Sequence, residues 1–233
     1  MVRTAIILAG GLGTRLRSVV SEVPKPMAPI RGRPFLACQM DYWIAQGIQE
    51  FVLSVGYRHE VIMGYFGDSY AGADIRYAIE PEPCGTGGGL LLATEQLSSV
   101  QPVLALNGDT FFAVSLAQLV AFHAVKQSDW TCCLFRTQDT QRYLGLQLAA
   151  DGQVVSLNAE AGATRYANGG VYLVKPDVIT DAGYAPGAQV ALETEILPQL
   201  LACKKRLSGL VCSGQFIDIG LPEDYFHAQT LLP

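Results

Sequence analysis

The chain has 233 residues, half of them hydrophobic and 16% charged, with a formal net charge of −5. This length and apolar content suffice for the core of one large α/β domain, which excludes a disordered chain. No apolar run approaches the roughly 20 residues that a membrane-spanning helix needs, and residues 1–3 lead into a strand-like stretch without the features of a secretory signal. We therefore expect a cytoplasmic protein that does not bind membranes.

Charge and cysteine usage narrow the kind of ligand. The first 33 residues carry six basic side chains and one acidic side chain, Glu22, whereas the other 200 carry ten basic and twenty acidic ones. The acidic remainder argues against general nucleic-acid binding, and the basic opening favours a polyanionic ligand nearby. The six cysteines form no C-x-x-C pair and have no histidine at zinc-ligand spacing, which argues against a metal site or a disulfide framework and predicts that most of them are core thiols.

The first half of the chain alternates between strand-like and helix-like segments. Short apolar runs predict strands, and apolar residues at helical spacing predict helices. In chain order the predictions are a strand at 4–8, a helix at 35–46, a strand at 51–55, a helix at 60–66, a strand at 75–79, a helix at 88–96, a strand at 103–106 and a helix at 116–125. This alternation predicts a mostly parallel sheet with helices on both faces.

The second half is less regular. Strands are predicted at 131–135, 146–148, 154–157, 170–174 and 207–211, and helices near 193–203 and from 222 to the end. Many short strands predict a mixed extension of the same sheet, and the lack of a linker or repeat predicts one α/β domain over residues 1–233. Ligands of such sheets lie beyond the carboxyl ends of the strands, which is where the segments after residues 8, 79 and 106 fall.

Three glycines follow the first predicted strand, at Gly10, Gly11 and Gly13, with Arg15 just beyond them. Without a Cβ, such a loop lets backbone N–H groups approach a phosphate chain closely, and Arg15 adds a cation. The loop lacks the third glycine of a dinucleotide fingerprint and the Lys-Ser/Thr of a Walker A loop. By itself it fits either a phosphate cradle or an ordinary turn.

Lys25 lies between Pro24 and Pro26, ten residues after Arg15. The two prolines stiffen the segment, and a stiffly held lysine suits charge placement beside a phosphate. The alternative is a surface lysine in a proline turn, but the nearby glycine loop favours the first interpretation.

Six motifs together resemble one family. AGGLGTRL, PKPMAPI, GTGGG, NGD, NGGVYL and FIDIGLPEDY occur in this order over nearly the whole chain. The combination resembles the sugar-1-phosphate nucleotidylyltransferases, and LNGDTFF and FIDIGLPEDYFHAQ most resemble their D-glycero-α-D-manno-heptose 1-phosphate guanylyltransferases. The resemblance implies a Rossmann-like domain with a nucleotide-binding half at about 1–115 and a sugar-binding half at about 116–233. The implied partners are a nucleoside triphosphate, with GTP favoured, and a sugar 1-phosphate; the oligomeric state is not predicted.

Two aspartates are the predicted metal ligands. Asp109 follows the predicted strand at 103–106, and Asp218 lies among apolar residues, where a carboxylate needs a partner or a cation. Two carboxylates with phosphate oxygens suit Mg²⁺, and the resemblance implies that both bind it. The alternative is that Asp109 caps a helix or turn and that Asp218 pairs with a structural arginine.

The resemblance also implies where the nucleotide binds. It places base recognition around Glu80, Gly85 and Thr86, because a carboxylate accepts hydrogen bonds from the N1–H and N2–H₂ edge of guanine, whereas uracil offers only N3–H. An ordinary helix N-terminus at Gly85 and Thr86 is also compatible. The full predicted nucleotide-binding set is Leu8, Ala9, Gly10, Gly11, Gly13, Thr14, Glu80, Gly85, Thr86, Asn107 and Gly108.

Asn168, Gly169 and Glu193 match the sugar-binding segments of the family. Two lysines of the family pattern are absent, one near Glu160 and one where Thr194 stands. We expect Arg142 or Arg165 to supply the missing positive charge at the sugar phosphate.

The predicted reaction needs no general base, because the attacking sugar-phosphate oxygen is already an anion. Arg15 and Lys25 are the predicted catalytic residues: Arg15 holds the β- and γ-phosphates, and Lys25 offsets charge at the α-phosphorus. Two alternatives remain, a uridylyltransferase acting on a hexose or amino-sugar 1-phosphate and a non-catalytic sugar-nucleotide binding protein.

Overall fold

The computed structural model describes residues 2–16, 18–137, 143, 145–157 and 166–232. In these ranges the strands are β1 (Thr4–Leu8), β2 (Pro29–Ile30), β3 (Arg33–Pro34), β4 (Glu50–Val55), β5 (Ser69–Tyr70), β6 (Ala73–Ile79), β7 (Val103–Asn107), β8 (Thr110–Phe112), β9 (Trp130–Arg136), β10 (Gly145–Leu148), β11 (Val154–Leu157), β12 (Tyr166–Val174), β13 (Leu207–Val211) and β14 (Phe216–Asp218). The α-helices are α1 (Phe35–Ile44), α2 (His59–Phe66), α3 (Gly85–Thr94), α4 (Leu116–Lys126), α5 (Pro176–Thr180), α6 (Leu197–Ala202) and α7 (Pro222–Leu231). A 3₁₀ turn covers Lys25–Met27, and a π-helical turn covers Leu192–Ile196.

One large mixed sheet organises the chain. Its main strand order is β11-β10-β12-β7-β1-β4-β6-β5, and β9 and β13 extend it from β12. Strands β6, β4, β1 and β7 run parallel at its centre, and β12 joins β7 in the opposite direction. Within the described ranges, seven of its ten strands point the same way, which confirms the predicted mixed, mostly parallel sheet.

Two hydrophobic cores cover opposite faces of the sheet. Along β1, Ala5 and Ile7 belong to one core and Ile6 to the other, as the alternation of side chains in a strand requires. Helices α1, α2 and α4 contribute to the first core, and α3, α5 and α6 to the second. The prediction of helices on both faces is therefore confirmed. In the described part of the chain, no helix is long and apolar enough to cross a membrane.

Two helices differ from their predicted bounds or type. The helix predicted at 88–96 begins earlier, at Gly85, because glycines let its first turn approach a distant segment: a Cβ on Gly88 would stand 2.0 Å from the Ala188 carbonyl oxygen. The helix predicted at 193–203 is instead a π turn followed by α6. The segment before and within that π turn packs on α3, where the Gly87 and Gly88 amides donate to the Val190 carbonyl.

The strand predicted at 170–174 is also longer than expected, since β12 begins at Tyr166. Its pairing with β9 shifts register between Asn168 and Tyr172, where Gly170 has a φ of +68°. Such an irregularity redirects side chains within a strand. Most cysteines are core thiols, as the sequence predicts, since Cys38, Cys84, Cys132 and Cys133 are buried, whereas Cys212 is half-buried and Cys203 is exposed.

Candidate functional site

A cavity of about 330 Å³ lies at the carboxyl ends of β1, β6 and β7. Parallel strands end at the same edge of a sheet, so the segments that follow them meet there. The structure brings most of the predicted site residues into its wall: Leu8, Ala9, Gly10, Gly11, Gly13, Thr14, Arg15, Lys25, Glu80, Gly85, Thr86, Asn107, Gly108 and Asp109. Asp218, Asn168, Gly169 and Glu193 are not among the residues that line it.

The glycine loop packs directly on the lysine segment. Gly13 has a φ of +59°, and a Cβ there would stand 2.9 Å from Lys25 Cβ. Lys25 begins the 3₁₀ turn, whose other residues, Pro26 and Met27, are buried. The Lys25 side chain is only 9% exposed. The loop and the lysine are thus one rigid unit at this end of the cavity, which explains why glycine is needed at position 13.

The side chains of Lys25, Asp109 and Asp218 lie close together. Lys25 Nζ lies 2.6 Å from Asp109 Oδ2, in an ion pair whose aspartate is 39% exposed. Strands β8 and β14 pair antiparallel with Asp218 opposite Thr110, and the Ile219 amide donates to the Asp109 carbonyl at 3.0 Å. A Cβ on Gly220 would stand 2.7 Å from Asp218 Oδ1 and 3.2 Å from Lys25 Nζ. Asp109 and Asp218 are more than a hundred positions apart in the sequence, yet both carboxylates lie beside the Lys25 ammonium.

This donor set fits a hard cation. Two carboxylates, Asp109 in the turn before β8 and Asp218 in β14, offer oxygen ligands only, and the 39% exposure of Asp109 leaves it accessible from the cavity. Nucleotidyltransferases generally use a divalent metal. The Lys25 ammonium pairs with Asp109 Oδ2, so a cation bound to that oxygen would compete with the lysine.

Only some of the basic residues among the first 33 face the cavity. Of those that the structure describes, Arg15 and Lys25 line it. Arg33 instead binds Asp41 at 2.5 Å, and Arg31 donates to the Gln229 carbonyl at 2.9 Å. The clustering of positive charge in the sequence therefore overstates the charge that faces the ligand, because part of it anchors the segment to α1 and α7.

Glu80 also lines the cavity, and its carboxylate is held on several sides. Ser54 Oγ donates to Oε1 at 2.9 Å, and the Cys84 amide donates to Oε2 at 3.4 Å. A Cβ on Gly10 would stand 2.0 Å from Oε1, and one on Gly89 would stand 2.9 Å from it. The absence of side chains at these two glycines makes the space that the carboxylate fills.

The Cys84 thiol beneath Glu80 is not a nucleophile. Burial is the main cause that raises its pKa to about 12, and the charge of Glu80 and a hydrogen bond to it raise the pKa further. The thiol is therefore protonated near neutral pH, and its reactivity is low.

A partly buried hydrogen-bond network links Thr86, which lines the cavity, to the predicted sugar-binding residues. Thr86 Oγ1 donates to Glu193 Oε2 at 3.0 Å and accepts from the Leu192 amide at 2.9 Å. The Tyr172 hydroxyl donates to Glu193 Oε1 at 3.3 Å, and the Asn168 amide donates to that hydroxyl. Asn168 and Glu193 are thus joined through Tyr172, and Glu193 is joined to the start of α3 through Thr86.

Sequence reasoning missed Ser54 and Tyr172. Ser54 lies inside the apolar run of β4 and Tyr172 inside that of β12, and both are fully buried. The available signal was a lone polar group in a buried strand, because such a group needs a hydrogen-bond partner. Arg142, Arg165 and Glu160, which bear on the predicted sugar-phosphate contact, lie outside the described residues.

Comparisons with known proteins agree with this geometry. Residues 4–233 match the model of the nucleotidyl transferase family. The chain is 40% identical to the D-glycero-alpha-D-manno-heptose 1-phosphate guanylyltransferase of Aneurinibacillus thermoaerophilus, over 98% of this chain and 97% of that protein. It is 39% identical to the protein of the same name from Campylobacter jejuni, over 96% and 97% of the two chains.

A solved structure of similar shape is HddC from Yersinia pseudotuberculosis complexed with GMP-PN. It superimposes with a TM-score of 0.83 at 32% identity, over 98% of this chain and 99% of that chain. The chain therefore belongs to the nucleotidyl transferase family, as the resemblance of its motifs predicts.

Proposed function

We propose that this chain transfers a guanylyl group from GTP to D-glycero-α-D-manno-heptose 1-phosphate, which gives GDP-heptose and pyrophosphate. One observation carries the proposal: the glycine loop, Lys25, Asp109 and the Glu80 carboxylate line a single cavity at the carboxyl edge of the sheet. The cavity is lined by two cations, Arg15 and Lys25, by the glycines of the loop and by the anchored Glu80 carboxylate. A nucleoside triphosphate, with polyanionic and base ends, has the matching polarity.

The base end favours guanine. Guanine presents two N–H donors on one edge, uracil presents one, and adenine presents an acceptor beside its amino group. A carboxylate has only acceptors, so Glu80 pairs best with guanine. The names of the relatives at about 40% identity support the same base and a heptose acceptor.

The phosphate end supports nucleotidyl transfer. A phosphate oxygen of the sugar 1-phosphate attacks the α-phosphorus of GTP, a new P–O bond forms, the bond from the α-phosphorus to the bridging oxygen breaks, and pyrophosphate leaves with that electron pair. The reaction requires no proton transfer because the nucleophile is an anion. Arg15 and the loop amides hold the triphosphate, and the Lys25 ammonium offsets charge that grows at the α-phosphorus.

Asp109 and Asp218 are the residues that would hold Mg²⁺. The metal would supply charge neutralisation for the reacting phosphates. The nucleotide-binding half at about 1–115 and the sugar-binding half at about 116–233 follow from the same assignment, because Asn168 and Glu193 form the second part of the site. A cytoplasmic location belongs to this proposal too.

The sugar-phosphate contact also stays a proposal. Either Arg142 or Arg165 would replace the lysines of the family pattern, and an Arg165→Ala variant should then raise the KM for the sugar phosphate. Unchanged kinetics would reject Arg165.

A substrate panel tests the function. Each of the four ribonucleoside triphosphates is mixed with Mg²⁺ and with the 1-phosphates of manno-heptose, mannose, glucose and an N-acetylated sugar, and pyrophosphate is measured. We expect the highest kcat/KM for GTP with the heptose. A preference for UTP with a hexose or amino sugar would replace the proposal with a uridylyltransferase. Binding without pyrophosphate release would replace it with a non-catalytic protein.

A further inference from the structure

We propose that Ser54 is a positioning residue that sets the guanine specificity of this site by holding the Glu80 carboxylate in place. The inference rests on the proposed function, in which Glu80 reads the base. Ser54 itself lines no part of the cavity and acts only through Glu80.

Ser54 contacts both the start of the glycine loop and the Glu80 carboxylate. It lies in β4 opposite Leu8 of β1 and Ala78 of β6, and no part of it is exposed. Its carbonyl accepts from the Ala9 amide at 2.7 Å, which fixes the start of the glycine loop. Its hydroxyl donates to Glu80 Oε1 at 2.9 Å. A hydroxyl in a fully buried strand needs such an acceptor, and Glu80 Oε1 supplies it.

The backbone around Glu80 confines the carboxylate to that contact. Oε1 packs so closely on Gly10 and Gly89 that a Cβ on either residue would overlap it or touch it. The second oxygen accepts from the Cys84 amide at 3.4 Å, near the limit for a hydrogen bond, and the Cys84 thiol also forms a hydrogen bond to the carboxylate. Because the Ser54 contact is shorter than the amide contact and a thiol is a weak donor, Ser54 is the contact that fixes rotation of the carboxylate.

The count of acceptor sites matches guanine. A carboxylate has about four lone-pair sites. Ser54 and the Cys84 amide use one on each oxygen, and the Cys84 thiol is a weak donor that a stronger one can displace, so each oxygen can still accept a hydrogen bond from a ligand. Guanine N1–H and N2–H₂ fill both of them, whereas hypoxanthine, which lacks the 2-amino group, fills one. Discrimination between these two bases requires that both oxygens are presented in a fixed plane, and Ser54 supplies that constraint.

The test compares GTP with ITP. Both triphosphates are assayed with manno-heptose 1-phosphate, and the ratio of their kcat/KM values is measured for the wild type and for Ser54→Ala. The 2-amino group of guanine donates one more hydrogen bond to the charged carboxylate than hypoxanthine does. That bond should give the wild type a preference for GTP over ITP of about 10- to 100-fold. We expect Ser54→Ala to reduce this preference to about 5-fold or less. Without the Ser54 hydrogen bond, the carboxylate is no longer held in the plane in which it accepts from the guanine 2-amino group. The change should lie in the KM for GTP, with the KM for the sugar phosphate unchanged.

The ratio separates positioning from general structure, because both triphosphates are measured on one preparation and the active fraction cancels. Ser208→Ala is the matched control. Ser208 is a buried strand serine that accepts from Ser128 at 2.8 Å and does not line the cavity, so its loss should leave the GTP to ITP ratio unchanged. Ser54→Thr keeps the hydroxyl and should retain the wild-type preference.

Two outcomes would overturn the inference: a wild-type ratio in Ser54→Ala, or an equal loss with Ser208→Ala. A wild type that turns over neither GTP nor ITP would instead reject the proposed function, so the two failures are distinguishable.

Discussion

Lys25 Nζ lies 2.6 Å from Asp109 Oδ2, so the lysine assigned to the phosphate and an aspartate assigned to the metal are bonded to each other. The pair keeps two charges compensated inside the cavity. When the ligands bind, a phosphate oxygen can pair with the lysine and a divalent cation can bind the aspartate. These two contacts then replace the ion pair between Lys25 and Asp109. Opposite charges within a few ångströms stabilise each other, and removing either one therefore affects both ligands.

Replacement of Lys25 by alanine tests its catalytic role. We expect kcat/KM to fall by about 100- to 1,000-fold, the usual cost of removing one electrostatic stabiliser. The fold should persist, because Asp109 is 39% exposed and its unpaired charge remains hydrated. Pyrophosphate release and thermal unfolding provide the two measurements. Lys205→Ala is the control, since Lys205 forms an ion pair of the same 2.6 Å length with Asp181 away from the cavity. A fully active Lys25→Ala enzyme would refute the mechanism.

The same ion pair predicts opposite changes in metal affinity for two variants. Lys25→Met removes the cation that competes for Asp109, so the protein should bind Mn²⁺ about 5-fold more tightly, which corresponds to roughly 1 kcal/mol for unit charges about 4 Å apart in water. Asp218→Asn removes a ligand charge and should weaken binding at least about 10-fold. Electron paramagnetic resonance of free Mn²⁺ measures both without turnover. Weaker binding by Lys25→Met would show that the lysine does not compete with the metal.

Tyr172 gives a prediction for the sugar end. Tyr172→Phe removes the hydroxyl between Asn168 and Glu193, so we expect the KM for the sugar phosphate to rise about 5- to 10-fold while the KM for GTP changes less. The free energy of unfolding should fall by about 1 to 2 kcal/mol, because two buried hydrogen bonds are lost.

Tyr225→Phe serves as the matched control for that variant. The Tyr225 hydroxyl donates to the Pro29 carbonyl at 2.8 Å in a nearly buried position outside the cavity. The control should lose stability without a change in the KM for the sugar phosphate. Equal kinetic effects in the two variants would mean that Tyr172 acts only on stability.

Local pattern was sufficient to predict individual strands both at the centre of the sheet and at its edge. The runs that form β1, β11 and β13 have the predicted bounds, because short apolar segments between polar or glycine residues fold according to their own composition. The position of the cavity follows from the same pattern, since parallel strands end at one edge. Glycines that follow β1 could therefore be assigned to a ligand before any contact was known.

Contacts between distant segments were not predictable from one sequence. The pairing of β8 with β14 brings Asp218 beside Asp109, and nothing local in either segment encodes the other. Glu193 likewise receives a hydrogen bond from Thr86, 107 positions away. Ser54 is a single serine in an apolar strand, and its importance depends on Glu80 arriving from β6. Spatial neighbours, rather than residue types, decide these roles.

The last prediction concerns acid stability, and it depends on His123. This residue lies in α4, is almost fully buried, and its Nδ1 forms a hydrogen bond with Thr131 Oγ1 at 2.8 Å. Burial is the main cause that lowers its pKa to about 4, the charge of Lys175 lowers it further, and Asp129 opposes them. The unfolded chain binds this proton near the ordinary pKa of 6.5 and the folded chain does not, so the stability from the neutral form is lost as the pH falls from about 6.5 towards about 4. Between about pH 7 and about pH 5 the loss from this one group is roughly 2 kcal/mol.

Urea unfolding at both pH values, with His123→Gln beside the wild type, measures that contribution. The variant should start less stable, because it loses the contact with Thr131, but it should lose roughly 2 kcal/mol less on acidification than the wild type does. His227→Gln, at an exposed position of α7, should keep the wild-type pH dependence. An equal loss on acidification in His123→Gln and the wild type would show that other groups cause the acid sensitivity, because the variant carries no imidazole at position 123 to titrate.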